Sequence, residues 1–124
     1  MKIMNVGIMS MNDYKQRTIS IAKGEYTPKK NEPKIWFESM KSLAQILSNE
    51  NQDLLKLIIE YKPKSLTELE SLSHRKKSNL SRTLKTLEGY GIVSLNRRKS
   101  KVIPTVNATK FKVEFGLEST TFNW

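Results

Sequence analysis

The 124-residue chain contains no cysteine and only one histidine, His74. It therefore cannot form a disulfide, a thiolate nucleophile or a cysteine-ligated zinc site, and a lone imidazole does not favour a metal centre. The G-x-S-x-G, H-E-x-x-H and glycine-rich phosphate-loop motifs of common enzymes are also missing. We expect no enzymatic activity, no metal and no cofactor, in a chain suited to a reducing compartment.

Long apolar runs are missing as well. The apolar residues between Met1 and Ser10 are interrupted by Asn5 and Gly7, and no signal-peptide cleavage site follows them. Nowhere does the chain approach the roughly 18 consecutive apolar residues that a membrane-spanning helix needs. We therefore expect a cytoplasmic protein without a membrane partner.

Acidic residues are scarce relative to basic ones. Twelve carboxylates oppose 22 lysines and arginines, which gives a net charge of +10 and a pI near 9.9. The excess is concentrated between Arg75 and Lys101, where nine basic residues accompany one acidic residue, Glu88. This charge predicts nucleic acid as the first partner to test, although acidic proteins and anionic membranes respond to the same field.

The N-terminal quarter predicts a short strand and then a helix from Asp13 to a stop at Gly24. The predicted buried stripe of that helix is Tyr14, Thr18, Ile21 and Ala22. Residues 25–33 carry two prolines and no aliphatic side chain, which is typical of a linker or an extended arm. We therefore divide the chain into an N-terminal arm for dimerisation or partner binding (1–32), a folded domain (33–115) and a C-terminal tail (116–124).

Two short helices are predicted after the linker. Ile35–Phe37 precedes them, either as a short buried strand or as a cap on the core. Ser39 is the predicted N-cap of the first helix and Ser48 that of the second, which Pro63 ends because proline cannot continue a helix. Their predicted buried faces are Met40, Leu43, Ala44 and Leu47, and then Leu54, Leu55, Ile58 and Tyr61.

The next two helices are the most clearly marked. Ser65 and Glu68 form a capping box, in which the side chain of each accepts from the amide of the other, so that a helix begins at this point. After a turn at Ser73–Arg75, a second helix is predicted over Lys76–Leu87. Its leucines share one face, and its cationic residues point elsewhere. The predicted buried leucines of the two helices are Leu66, Leu69, Leu72, Leu80, Leu84 and Leu87.

A hairpin follows this helix in the sequence pattern. Gly89 and Gly91 are expected to reverse the chain, with Tyr90 between them as a packing anchor. Two short strands, Ile92–Leu95 and Val102–Ile103, would then flank a basic tip at Arg97–Lys101.

A last strand is predicted after Pro104, and it can pair with the N-terminal strand. Its expected buried face is Phe111, Val113 and Phe115, which alternate with polar residues. Helix, turn, helix and hairpin together predict a mainly α fold with a small β-wing (α+β), which is a winged helix-turn-helix.

In such a fold the helix Lys76–Leu87 would enter the major groove of DNA. Arginine can pair with guanine and asparagine with adenine in two-pronged fashion, so the predicted base contacts are Lys77, Ser78, Asn79 and Arg82. The predicted phosphate contacts of the helix are Ser81 and Lys85. The residues expected to lie along the backbone or in the flanking minor groove are Arg97, Arg98, Lys99 and Lys101. The predicted set is completed by Ser65, Thr67, Arg75 and Lys76.

Simpler interpretations of the same residues stay open. A cationic helix is often only a solvated face. Asn79 is as typical of a surface or capping position as of a base contact, and His74 is typical of a turn or a phosphate contact.

The segments NLSRTLKTLEGYGIV (Asn79–Val93) and SLTELE (Ser65–Glu70) resemble the helix-turn-helix and first wing strand of MarR-like transcriptional regulators. Upstream, PKIWFESMKSLAQILSNENQDLLKLI (Pro33–Ile58) resembles short predicted regulators that are often regarded as antitoxins, including those that accompany TumE-type toxins. The resemblance implies a homodimeric, autoregulatory repressor whose targets are double-stranded DNA at its own promoter and a partner toxin.

Dimerisation is also expected because one winged domain contacts only a half-site and such proteins usually pair by two-fold symmetry. Two other functions stay open. The basic face could cover an acidic protein, as in a winged-helix interaction module. The region of Trp36, Phe37 and Met40 could instead form the pocket of a ligand-sensing repressor, although core packing explains these residues equally well.

Overall fold

The computed structural model describes residues 2–117. Within them the chain folds as a mixture of α and β structure, with five helices, a parallel three-stranded sheet and an antiparallel hairpin. The elements in chain order are β1 (Ile3–Ile8), α1 (Met11–Ala22), β2 (Ile35–Phe37), α2 (Met40–Ile46), α3 (Asn49–Tyr61), α4 (Leu66–Ser73), α5 (Lys77–Gly89), β3 (Val93–Arg98), β4 (Lys101–Val106) and β5 (Lys110–Glu114). The helices and the hairpin were predicted, whereas only one pair of strands in the parallel sheet was.

The parallel sheet has the strand order β2-β1-β5. Val6 in β1 lies opposite Ile35 on one side and Val113 on the other. The predicted pairing of the last strand with the N-terminal strand is therefore confirmed, and Ile35–Phe37 is a strand. The sheet also crosses the predicted boundary at residue 32, because β1 is its central strand.

One hydrophobic cluster joins the sheet to the helices. Val6 and Phe37 from the sheet are fully buried in it, together with Leu69 of α4 and the predicted leucines of α5. Leu66 and Leu72 of α4, which were also expected to be buried, are only half-buried. The fully or almost fully buried members from the helices and the hairpin are Leu54, Leu55, Ile58, Leu69, Leu80, Leu84, Leu87, Ile92 and Val93. The leucine stripe of α5 is therefore confirmed.

Helix α1 contributes a charge to the interior instead of its predicted apolar stripe. Its buried residue is Arg17, whereas Tyr14 and Thr18 are exposed. The Arg17 guanidinium lies 3.0 Å from Glu32 and 5.2 Å from the centroid of the Trp36 ring. The predicted stripe was wrong because a buried ion pair and an aromatic ring, both from outside the helix, set which face of α1 turns inward.

Outside α1, five apolar residues that were expected to be buried are exposed: Ala44 of α2 and four larger side chains. Met40, Tyr61, Val113 and Phe115 each expose between 46% and 55% of their surface. Met40 and Tyr61 lie in the first turn of α2 and the last turn of α3, and both helices contact the core through their other turns. Val113 lies in the edge strand β5, which has a neighbouring strand on one side only, and Phe115 follows the end of that strand.

The predicted serine caps are confirmed. The hydroxyls of Ser39, Ser48 and Ser65 accept hydrogen bonds from the amides of Ser42, Asn51 and Glu68. Only half of the capping box forms, because the Glu68 carboxylate accepts from the Lys64 amide, at 3.3 Å, and not from Ser65. Among the helices of residues 2–117, none has the length and apolarity required to cross a membrane.

Candidate nucleic-acid interface

The predicted turn between α4 and α5 is present. His74 caps the end of helix α4 with a left-handed backbone (φ 61°) that turns the chain, and α5 begins three residues later at Lys77. The Lys76 side chain does not cap α5; instead Glu70 of α4 accepts a hydrogen bond from the Lys77 amide at 3.0 Å. This bond fixes the start of α5 against α4.

Helix α5 has two opposite faces. Leu80, Leu84 and Leu87 are buried, with at most 1% of their surface exposed. At about 100° per residue, Ser78, Arg82 and Lys85 lie on the opposite side, and all three are exposed. Lys76 and Lys77 are also exposed, and Ser81 is half-buried. The predicted division of α5 into a buried leucine face and an exposed cationic face is therefore present.

The hairpin of β3 and β4 lies next to α5. It closes with a two-residue turn at Lys99–Ser100, and Lys99 has a left-handed backbone (φ 54°). The basic tip is shorter than predicted, since Arg97 and Arg98 already belong to β3. The exposed cations around the turn are Arg98, Lys99 and Lys101.

Strand β4 is longer than predicted, because it continues through Pro104 to Val106. Pro104 lies opposite Leu95. The Asn107 amide donates to the Ile92 carbonyl at 2.9 Å, and in an antiparallel pair hydrogen-bonded positions alternate. The missing amide of Pro104 therefore falls at a position where no ladder bond is required.

A compact helix end connects α5 to the hairpin. Gly91 adopts a positive φ of 76°, and the amides of Gly91 and Ile92 donate to the carbonyls of Glu88 and Leu87, both at 2.9 Å. This is the Schellman arrangement, which needs glycine at the left-handed position. Gly89 instead lies within the helix, so the prediction that it helps to reverse the chain was wrong.

One aromatic stack and one ion pair hold the base of the hairpin in place. Tyr90 stacks on Phe37 with ring centroids 4.5 Å apart, as expected of a packing anchor. Arg97 lies 3.4 Å from Glu88 and donates to both of its carboxylate oxygens. Arg97 is therefore engaged within the chain, and the one acidic residue of the basic segment is neutralised by it.

Arg75, a predicted DNA contact, is held in a network with neutral oxygens. Its Nε donates to Asn79 Oδ1 at 2.8 Å, Nη1 to Asn51 Oδ1 at 3.2 Å and Nη2 to Thr83 Oγ1 at 2.9 Å. Asn79 thus uses its acceptor oxygen within the chain, which competes with its predicted two-pronged contact to adenine. Arg75 itself is half-buried.

Sequence reasoning missed Thr83 and Asn51. The helical spacing from Asn79 to Thr83 places both on one flank of α5, so that spacing could have suggested Thr83. Asn51 lies in α3, 24 positions before Arg75, and no local pattern connects the two.

The remaining predicted site residues have simpler surroundings. The Ser65 hydroxyl caps α4, and the Thr67 side chain is exposed in the first turn of that helix. Within residues 2–117, no carboxylate lies within ion-pair distance of the other cations of the basic segment. These cations are Lys76, Lys77, Arg82, Lys85, Arg98, Lys99 and Lys101.

The part of the chain that the structure describes contains no group of three histidine or carboxylate side chains that could hold a metal. The residues considered for a ligand pocket have different surroundings. Phe37 is buried against Tyr90, and Met40 is exposed. Trp36 lies over Gly7, where an added Cβ would collide with its ring.

No curated protein and no solved structure is significantly similar to the chain. A model of the HVO_A0114 family matches residues 46–113, which extend from the end of α2 into β5 and include α5 and the whole basic hairpin. Because this match covers more than half of the sequence, the chain belongs to the HVO_A0114 family.

Proposed function

We propose that this protein is a sequence-specific DNA-binding transcriptional regulator of the winged helix-turn-helix type. Helices α4 and α5 would form the helix-turn-helix, with α5 as the recognition helix, and the hairpin of β3 and β4 would form the wing. The observation that carries the proposal is the division of α5 into a buried leucine face and an exposed cationic face, beside a basic hairpin turn.

The dimensions support this proposal. Helix α5 has 13 residues, and a helix of that length extends about 20 Å. The major groove is roughly 12 Å wide, so it accepts one helix. Arg82 would then face base edges, where guanidinium pairs with guanine, and Lys85 would face a phosphate. The hairpin turn would contact the flanking backbone or minor groove.

We extend the proposal to a two-fold dimer, since one such unit contacts only half of a palindromic site. Apolar side chains that a second protomer could cover are exposed outside the basic segment, on α1 and near the end of β5. They include Met11, Tyr14, Ile19, Val113 and Phe115. Autoregulation and a toxin partner rest on the resemblance to antitoxin-like regulators, and the same apolar surfaces are available for such a partner.

The salt dependence of binding to duplex DNA tests the proposal. Duplexes are first selected from a random 30-base-pair pool, and affinity is then measured by fluorescence anisotropy between 50 and 200 mM salt. With about six to ten phosphate contacts per dimer, affinity should fall by roughly 10³ to 10⁵ over this range. Selection that enriches no sequence, or a shallow salt dependence, contradicts the proposal. Tighter binding to an acidic polypeptide than to any duplex would instead favour a protein-interaction module.

A further inference from the structure

A small notch lies beside α5, on the flank that carries Asn79 and Thr83. Its volume is about 260 Å³, and its wall includes Asn79, Arg82 and Thr83 from α5 and Asn51 from α3. Arg75 does not line the notch itself, but it donates to three of these residues. The notch is therefore bordered by the Arg82 guanidinium and lies one hydrogen bond away from that of Arg75.

The charge of Arg75 is not balanced within the described chain. All three of its side-chain acceptors are neutral oxygens, and no carboxylate of residues 2–117 lies within ion-pair distance. A half-buried cation is normally paired, because removal from water weakens its hydration. Three of its five N–H groups are used, and two are left for another acceptor.

The network also presents donors to the notch. Asn79 Oδ1 accepts from Arg75, so its amide N–H groups are left to donate. Thr83 Oγ1 likewise accepts from Arg75, which leaves its O–H to donate, and Arg82 carries only donors. A cavity whose wall carries the donors of Asn79 and Thr83, next to the unbalanced charge of Arg75, suits an acceptor-only anion such as a phosphate.

With α5 in the major groove, the notch would lie next to a phosphate of the DNA backbone. A helix in the major groove has a sugar-phosphate backbone on either side of it. Arg82, from the exposed face of α5, and Asn51 of α3 both line the notch. We propose that the notch binds one backbone phosphodiester in each half-site, with Arg75 and Thr83 as its positioning residues; this inference rests on the proposed function.

The salt slope of DNA binding gives the first test. Arg75→Met keeps the aliphatic stem but removes the charge, and it should reduce the slope of log K against log salt by about 0.9 per phosphate lost, or about 1.8 per dimer. Thr83→Val removes one hydroxyl at nearly constant shape and should weaken binding about tenfold, even if Arg75→Met folds poorly. The matched controls, Lys110→Met and Thr109→Val, change exposed residues outside the notch and should leave slope and affinity unchanged.

A scan with methylphosphonates, which replace single phosphates by neutral groups, gives the second test. One position in each half-site should weaken wild-type binding but cause no further loss in Thr83→Val or Arg75→Met. Additive losses at every position, with an unchanged slope, overturn the inference but leave the proposed function intact. If the wild-type chain binds no duplex, both are overturned.

Inorganic phosphate alone separates this site from a nonspecific one. Its binding is followed through the Nε–H resonance of Arg75, which should shift with phosphate and be competed by the selected duplex. A shift that the duplex does not displace, together with additive methylphosphonate losses, would identify an adventitious ion only and overturn the inference.

Discussion

Two arginines are drawn into the fold in opposite ways. Arg17 is buried beside Glu32, and the exposed fractions of the two side chains are 10% and 6%. Arg75 is half-buried among the neutral oxygens of Asn51, Asn79 and Thr83. The first charge is balanced inside the chain, whereas no carboxylate of residues 2–117 balances the second. Burial alone therefore does not show whether an arginine is structural or is available to a ligand. The charge of the groups that it contacts separates the two cases.

The largest effect is expected when the balanced pair is broken. Glu32→Gln leaves Arg17 buried without a counter-charge, which should lower the free energy of unfolding by about 3 to 5 kcal/mol in urea titrations. Asp53→Asn, which breaks an exposed pair with Lys56, should cost less than about 0.5 kcal/mol. Equal effects of the two substitutions would contradict the interpretation of Arg17 as a structural residue.

A smaller effect, on binding and not on stability, is expected at Arg82. Arg82→Ala removes an exposed cation without a carboxylate partner among residues 2–117, so the urea midpoint should not change. Affinity for the selected duplex should fall by about 1 to 3 kcal/mol, with relaxed preference at one base pair. Equal weakening on all sequences would reassign Arg82 to a phosphate, and Lys110→Ala serves as the control.

The smallest effect is expected in how the folding stability depends on pH, through the Arg17–Glu32 pair. Burial alone would raise the pKa of Glu32, but hydrogen bonds from Tyr26, the Lys29 amide and Arg17 outweigh it and lower the pKa below its ordinary value. A lowered folded-state pKa contributes stability that is fully present above the ordinary carboxyl value and is lost as the pH falls through the folded value.

Melting temperatures of the wild type and Glu32→Gln between pH 7 and pH 3 measure this contribution. The difference between the two proteins should be constant near neutrality and narrow in acid. A difference that stays constant down to pH 3 would mean that Glu32 does not titrate with unfolding.

Local patterns predicted the helical part of the fold. Serine caps, the leucine spacing of α5 and the basic hairpin each depend on residues within a few positions of one another, so the sequence displays them directly. The parallel sheet was predicted only in part. The pairing of the last strand with β1 was expected, but neither its parallel direction nor the place of β2 on the other side of β1 was. A short apolar run specifies neither the direction of a pair nor a second partner.

In the candidate site, too, local patterns predicted some features and missed those that depend on distant residues. The exposed positions of Ser78, Arg82 and Lys85 follow from helical periodicity. The capture of Arg75 by Asn51 does not, because it depends on how α3 packs against α4, the helix before Arg75. Arg17 was missed for the same reason, since its partners Glu32 and Trp36 lie outside α1.

The glycine turn at the end of α5 has a mechanical consequence. Ile92 is fully buried and its amide bonds back to Leu87, so the first residue of the hairpin segment is fastened to the helix that precedes it. The Arg97–Glu88 contact adds a second tie between the same two elements. On a DNA duplex, these two contacts would keep α5 and the hairpin at a fixed distance from each other. Groove width and local bending would then discriminate between sequences at base pairs that no side chain touches.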